Sequence, residues 1–262
     1  MSKTICRFLS PATGEATYGL IEDGAVYAVP TAQIFDAAPA RAASADAVAL
    51  ADARLPAPVT PSKIVCIGRN YREHAAELGN PMPDLPLLFL KPPSAIIGHG
   101  DAIELPAASA RVEHEGELGV VIGRRARLLS DSENPLDYVL GYTCVNDVTA
   151  RDLQRHDVQF TRAKSFDTFC PVGPYVVTGI DPFDLGVETR VNGETRQRGR
   201  TAAMAFPVAY LIRYISHIMT LEVGDVISTG TPAGVGPLSD GDVCEVEVEH
   251  IGTLRNAVRA AV

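Results

Sequence analysis

No CxxC pair occurs in this chain, and its five cysteines (Cys6, Cys66, Cys144, Cys170 and Cys244) are odd in number and widely scattered. Neither a zinc knuckle nor a disulfide framework is supported by that usage. Cys144 and Cys170 fall near motifs discussed below, but neither has a histidine beside it in sequence, so buried structural thiols are expected. Long apolar runs are also missing, and the N-terminus MSKTICRFLS carries no signal-peptide core. The chain therefore reads as a soluble, cytoplasmic protein with no membrane partner. Positive charge is in short supply, with 23 Lys and Arg against 32 Asp and Glu and a net charge of -9. That balance argues against nucleic acid as a partner, although a local cation can still receive an anionic substrate. A phosphate loop is lacking because no Gly-Lys-Ser/Thr follows the glycine-rich turns, and the dinucleotide fingerprint G-x-G-x-x-G is absent. No internal repeat is visible.

What is present is enough for a substantial core: 262 residues, of which 46% are hydrophobic and 21% charged. Residues 1–60 read as a small N-terminal domain. Within it, Thr17 to Leu20 and Ala25 to Val29 flank the hairpin turn Glu22-Asp23-Gly24. An alanine-rich stretch follows, read as a helix or a solvated linker, and Pro56, Pro58 and Pro61 end it. Residues 61–262 read as the main domain, and strand signals dominate there. They include Lys63 to Gly68, Val139 to Val145, Gly173 to Val177, Val226 to Thr229 and Val243 to Val248. Asn192-Gly193 is a strong hairpin turn. One clear helix is expected to open with Pro207 as its first residue, with Leu211, Ile212, Ile215 and Ile218 at helical spacing. The fold class expected is mostly β with a few helices (α+β), a roll or barrel of strands.

Five stretches carry candidate chemistry. In VEHEGELGVV, Glu113, Glu115 and Glu117 alternate along a strand and so share one side, directly before the buried run Leu118 to Ile122. Clustered carboxylates at the mouth of a buried strand repel one another and lose hydration. Either the strand end is solvated, or a metal ion, a Lys or Arg, or a shared proton lies between them. In GYTCVNDVTARDLQ, Asp147 stands at a strand end, placed either to cap a helix beginning near Thr149 or to reach a metal held by Glu115 and Glu117. Three oxygen ligands suit Mg²⁺ or Mn²⁺ better than zinc. Lys164, in TRAKSFDTFCPVGP, reads as a surface lysine or, beside such a centre, as a cation for a substrate carboxylate or enolate. His74 and Glu77 lie three residues apart on one helical face, either as a solvated contact or as a general base and its orienting carboxylate. The turn STGTPAGVGPL brings backbone donors and the Thr231 hydroxyl close to a ligand.

The motifs GRNYREHAAE, HEGELGVVIG, YTCVNDVTARD, AKSFDTFCPVGP, VNGETRQ and LEVGDVISTGTPAGVG occur in the order seen in the fumarylacetoacetate hydrolase family, which the chain resembles from about residue 61 onward. The resemblance implies a mixed β-sandwich roll with a small N-terminal domain. It implies Glu115, Glu117 and Asp147 as ligands of Mg²⁺, with Mn²⁺ as the alternative ion, and leaves Glu113 solvated. It implies that Lys164 and Thr231 face the substrate, that His74 and Glu77 form a water-activating dyad, and that Arg69 contacts the substrate acid. The activity implied is carbon–carbon bond hydrolysis of a 2,4-dioxo acid of the acylpyruvate type. Decarboxylation or isomerisation of a 2-oxo or 2-hydroxy-diene dioate on the same site is the alternative. The partners implied are a small 2-oxo acid and a second copy of the chain in a homodimer. A non-catalytic binding protein of the same fold is the rival from another class.

Overall fold

The computed structural model describes residues 2–11, 13–35 and 47–261. Strands β1 (Thr4–Leu9), β2 (Ala16–Glu22), β3 (Ala25–Ala28) and β4 (Ala47–Ala49) come first. Then follow β5 (Ile64–Gly68), β6 (Leu87–Lys91), β7 (Ile96–Ile97), β8 (Ala102–Leu105), β9 (Val112–His114), β10 (Gly116–Ile122), β11 (Val139–Asn146) and β12 (Thr149–Ala150). The last seven are β13 (Cys170–Val177), β14 (Gly186–Val191), β15 (Glu194–Arg200), β16 (Val226–Ser228), β17 (Gly236–Pro237), β18 (Val243–Val248) and β19 (Gly252–Ala260). Four short helices join them: α1 (Arg72–Glu77), α2 (Arg151–His156), α3 (Thr161–Lys164) and α4 (Val208–Ser216).

Both hairpin signals form their turns. Asp23 and Gly24 take φ of 49° and 76°, and Asn192 and Gly193 take 54° and 81°. Two consecutive positive φ values are the backbone of the tight turn whose twist matches paired strands. The large sheet runs β4-β3-β2-β1-β13-β11-β10-β16-β5-β6, with β7 added beside β13. The strands expected for the N-terminal domain thus continue the body's sheet through the β1–β13 pairing, Thr4 opposite Val177. A second sheet, β15-β14-β18-β19-β8, packs against it, and a small third sheet, β12-β9-β17, lies at the mouth of β10. The result is the expected mostly β roll.

Alternation along β5 and β10 divides the core. Val65, Ile67, Leu118, Val120 and Ile122 join Val187, Val246 and Leu254 of the second sheet and Leu211, Ile212 and Ile215 of α4. Ile64, Cys66 and Val121 face the opposite way, against Ile5, Leu20, Ile34 and Val59. Every residue of β10 is consequently buried, which leaves its N-terminal mouth as the place where polar groups collect. Cys144 and Cys170 are free and buried, and burial pushes both thiols up to about 12. On β18, Glu245 and Glu247 alternate with buried Cys244, Val246 and Val248, giving the wet face expected.

Three local readings are corrected. Pro207 precedes α4 with extended ψ of 159° instead of opening it as the first helical residue, and Ile218 lies beyond the helix, 54% exposed. The helix expected near Thr149 begins at Arg151, because Thr149 and Ala150 first pair with Glu113 and Val112 as β12. Within the alanine-rich stretch, Ala47–Ala49 is a strand paired with β3; residues 37–46 lie outside the described ones. No helix among the described residues is long and apolar enough to cross a membrane.

Candidate metal centre and active site

The acidic segment enters the site through a break between β9 and β10, with Glu115 at the break. Its amide donates to Asn146 Oδ1 at 2.9 Å, and its carbonyl accepts from the Asp147 amide at 2.8 Å. The end of β11 is thereby tied to the start of β10, so that Asp147 stands beside Glu115. Gly116, between Glu115 and Glu117, rests directly on the second sheet: a Cβ there would stand 2.0 Å from Thr189 Oγ1. Glu117 turns into the same space, where its Oε2 accepts from the Gly230 amide at 2.8 Å and from Ser228 Oγ. Oxygens of Glu115, Glu117 and Asp147 all lie within 4.8 Å of one another, and all three residues are buried.

Charge in this pocket is balanced by Lys164, which the sequence placed beside the centre, and by Lys91 and Arg151, which sequence reasoning did not assign. Lys164 Nζ donates to Glu115 Oε2 at 2.8 Å and to Asp147 Oδ2 at 2.5 Å. Lys91, fully enclosed, donates to the other Asp147 oxygen and to the Val148 carbonyl. Arg151 reaches Glu113 Oε2 with Nε at 2.6 Å and Glu115 Oε1 with Nη2. The expectation that Glu113 is solvated is therefore wrong. It is 2% exposed and lies between Arg151 and Arg111. An isolated carboxylate could not stay ionised there, but two guanidinium partners compensate the loss of water. The signal for Lys91 is a lysine closing the apolar run Leu87 to Leu90. The signal for Arg151 is a cation four residues after a candidate ligand.

These contacts set the protonation states. Burial alone would raise Glu115, but the charges of Lys164 and then Arg151 outweigh it and hold this carboxyl well below its usual range. Lys164 is likewise desolvated, and Asp147 and Glu115 more than restore its charged form. Glu117 has no cation of its own. Burial, and then the Asp147 charge, raise it to about 8 despite the Ser228 hydrogen bond. Four buried carboxylates thus face three buried cations, and the unmatched one is Glu117.

The residues present fit a hard divalent ion. Three clustered carboxylates offer only oxygen, the hydrogen bonds Glu117 makes among the described residues both go to Oε2, and a cation supplies the charge whose lack leaves Glu117 protonated below pH 8. Glu115, Glu117 and Asp147 are the residues that would hold it.

They form the inner end of a cavity of about 560 Å³, which Arg69, His74, Lys164 and Thr231 also line. His74, on α1, is 5% exposed; burial foremost lowers its pKa and favours the neutral ring. Its Nδ1 is 3.5 Å from Glu77 Oε2 and makes no hydrogen bond. Glu77 does not line the cavity, and its carboxylate instead accepts from the Gly234 amide at 3.1 Å. The expected dyad is therefore adjacent but unlinked. Arg69 holds a left-handed φ of 57°, and its neighbour Asn70 is locked by bonds to Thr229 O and to both backbone groups of Phe206.

Thr231 is fixed by Gln197, which was not anticipated. Gln197 Oε1 accepts from the Gly116 amide at 2.9 Å, so its Nε2 must be the end that donates to Pro232 O and to Thr231 Oγ1, each at 2.7 Å. The Thr231 proton goes to Gly116 O at 2.8 Å. Its hydroxyl therefore has no proton left for a ligand and can meet one only as an acceptor. The same Gln197 oxygen lies 3.1 Å from His114 Nδ1, which assigns the proton to that nitrogen.

Comparison with known proteins agrees with this architecture. An uncharacterized protein of Archaeoglobus fulgidus is 58% identical over 199 residues, covering 76% of this chain and 79% of its own. Oxaloacetate tautomerase YisK of Bacillus subtilis is 46% identical over 224 residues, 80% of this chain and 74% of its own. The crystal structure of 2-hydroxyhepta-2,4-diene-1,7-dioate isomerase from Mycobacterium marinum superposes with a TM-score of 0.89 at 43% identity, covering 98% of each chain. The model of the fumarylacetoacetate (FAA) hydrolase C-terminal family matches residues 63–259, most of the roll and every residue of the centre described above. The chain belongs to that family.

Proposed function

We propose that the protein is a Mg²⁺-dependent enzyme, with Mn²⁺ as an alternative ion, that interconverts keto and enol forms of a small 2-oxo dioate by stabilising the enolate. Support comes from the names of the relatives, an oxaloacetate tautomerase and a 2-hydroxy-diene dioate isomerase. The observation that carries the reading is the pairing of opposite tools in one cavity. Lys164 is a buried ammonium beside the carboxylate trio, and His74 is a neutral base without a partner.

When bound, the divalent ion supplies a Lewis acid for the 2-oxo group and its carboxylate. The chain's own residues provide the rest. Lys164 uses two of its three donors on Glu115 and Asp147, and the third is available to the developing enolate oxygen. His74 accepts the proton from the carbon beside the carbonyl and returns it elsewhere on the substrate. Arg69, whose guanidinium has no partner among the described residues, meets a substrate carboxylate at the mouth. Thr231 accepts from a protonated ligand oxygen. Residues 1–60 act as the small appended domain, and the enzyme works as a cytoplasmic homodimer.

A second reading, carbon–carbon hydrolysis of a 2,4-dioxo acid, is favoured by one observation. Glu77 stands only 3.5 Å from His74 on the same helix, close enough for a rotation of either side chain to complete a water-activating dyad. Decarboxylation uses the same enolate and no base.

The test is decay of the enol absorbance of oxaloacetate, measured beside hydrolysis of an acylpyruvate, with Mg²⁺ and with a chelator. Mg²⁺-dependent acceleration of enol decay, lost in Glu117→Gln, is expected. Acylpyruvate hydrolysis without that acceleration would transfer the assignment to the second reading.

A further inference from the structure

Glu113 is two residues from a candidate ligand, fully buried, and used by none of the chemistry above. We infer that it is a positioning residue that keeps Arg151 from closing on Glu115. An isolated guanidinium and carboxylate pair best as a two-bond fork, along either the Nε/Nη2 edge or the Nη1/Nη2 edge of the arginine. Both edges are blocked here. Nε is held by Glu113 Oε2 at 2.6 Å, and Nη1 is held by Gln154 Oε1. Only Nη2 remains, and it makes a single bond to Glu115 Oε1. Glu115 Oε2 is thereby left to Lys164 and to the shared space with Glu117 and Asp147. Glu113 is itself anchored from outside by Arg111 Nε, 2.6 Å from its Oε1. The line Arg111–Glu113–Arg151–Glu115 thus fixes the orientation of one carboxylate of the trio from the protein surface inward. With the Nε or Nη1 partner removed, the fork can close, both oxygens of Glu115 are engaged, and the trio loses part of its capacity for a cation.

This inference rests on the reading that the trio holds a divalent ion, and calorimetric titration of the whole protein with Mn²⁺ and Mg²⁺ separates the two. No binding by the wild type would remove the metal reading itself. With a binding wild type, Glu113→Leu, which leaves no acceptor for Nε, is expected to weaken affinity about 10- to 100-fold, the usual range for partners that orient metal ligands. Gln154→Leu changes no charge yet frees the other edge, so it should weaken affinity in the same direction by about tenfold or more. In an Arg151→Met background, Glu113→Leu should have an effect within about twofold of none, since nothing is left for Glu113 to restrain. Wild-type affinity in Gln154→Leu, with weakening in Glu113→Leu, would mean that Glu113 acts only as a distant charge and would overturn the inference. So would equal weakening by Glu113→Leu with and without Arg151. Thermal melts of the metal-free variants report folding separately, and Gln154→Leu, on the partly exposed rim, keeps the test open should Arg151→Met not fold.

Discussion

Lys164 Nζ lies 2.8 Å from Glu115 Oε2 and 2.5 Å from Asp147 Oδ2, so one ammonium joins the carboxylate just before β10 to the carboxylate just after β11. It is the counter-charge of the metal-free site as well as the proposed electrophile. Lys164→Met should therefore destabilise the metal-free protein by about 3 kcal/mol, the lower range for breaking a buried pair. Mg²⁺ should recover more stability in the variant than in the wild type, since it replaces the lost cation. Thermal melts with and without Mg²⁺ measure both effects. An unchanged metal-free melting temperature would contradict the role given to this residue.

Glu117 gives the pH dependence. Its carboxyl is raised by burial to about 8 in the folded, metal-free protein, far above the ordinary carboxylate value. The folded state then binds a proton that the unfolded state has already released, so this contribution to stability is full at acid pH and is lost as pH rises toward 8. Cation binding must displace the same proton. Mg²⁺ affinity should consequently rise with pH up to about 8 and level off above it, and Glu117→Gln should abolish that slope. Titrations between pH 6 and 9 in buffers of different ionisation enthalpy would count the proton released. No release at pH 6.5 would exclude this account.

Gly116→Ala tests the packing beneath the centre. The added methyl meets Thr189 Oγ1 at 2.0 Å, with Val246 behind it at 3.2 Å, and both belong to strands of the second sheet that cannot retreat independently. A loss of at least about 3 kcal/mol is expected, beyond ordinary overpacking. A melting temperature within two or three degrees of wild type, roughly 1 kcal/mol or less, would show that the sheets can part at little cost.

His74→Ala separates the reactions. Enol interconversion and acylpyruvate hydrolysis both need a base, so each should fall about a hundredfold in kcat/KM, roughly 3 kcal/mol of barrier. Oxaloacetate decarboxylation needs none and should persist, while Lys164→Ala should damage all three. Equal loss of all three in His74→Ala would make His74 a wall of the cavity instead of a base.

Sedimentation should find a homodimer at micromolar concentration. The basis is the family, together with the need to cover sheet edges such as β6, where Leu90 is 46% exposed. A monomer would remove that expectation.

The strand-rich roll was legible because its signals are local. Asn192-Gly193 and Asp23-Gly24 need positive φ, and the run Leu118 to Ile122 can only be a strand buried on both faces. Glu115, Glu117 and Asp147 stood out because acidic residues beside a buried strand are costly, but it was the resemblance to the family that singled them out as a ligand set. What compensates that cost was not legible. Lys91 is 56 residues from Asp147, and Gln197 is 34 from Thr231. No periodicity links such pairs; only the strand order β11-β10-β16-β5-β6 of the large sheet and the stacking of the two sheets bring them into contact. Glu113 shows the limit most plainly. It was read as solvated and as sharing one strand with Glu115 and Glu117, but the chain breaks at Glu115, β9 joins a different sheet from β10, and the Arg151 side chain closes over Glu113 from α2. The sequence by itself determined which residues carry charge and where the chain turns. The tertiary structure decided which of those charges are paired, which one is left with a proton, and which hydroxyl has none to give.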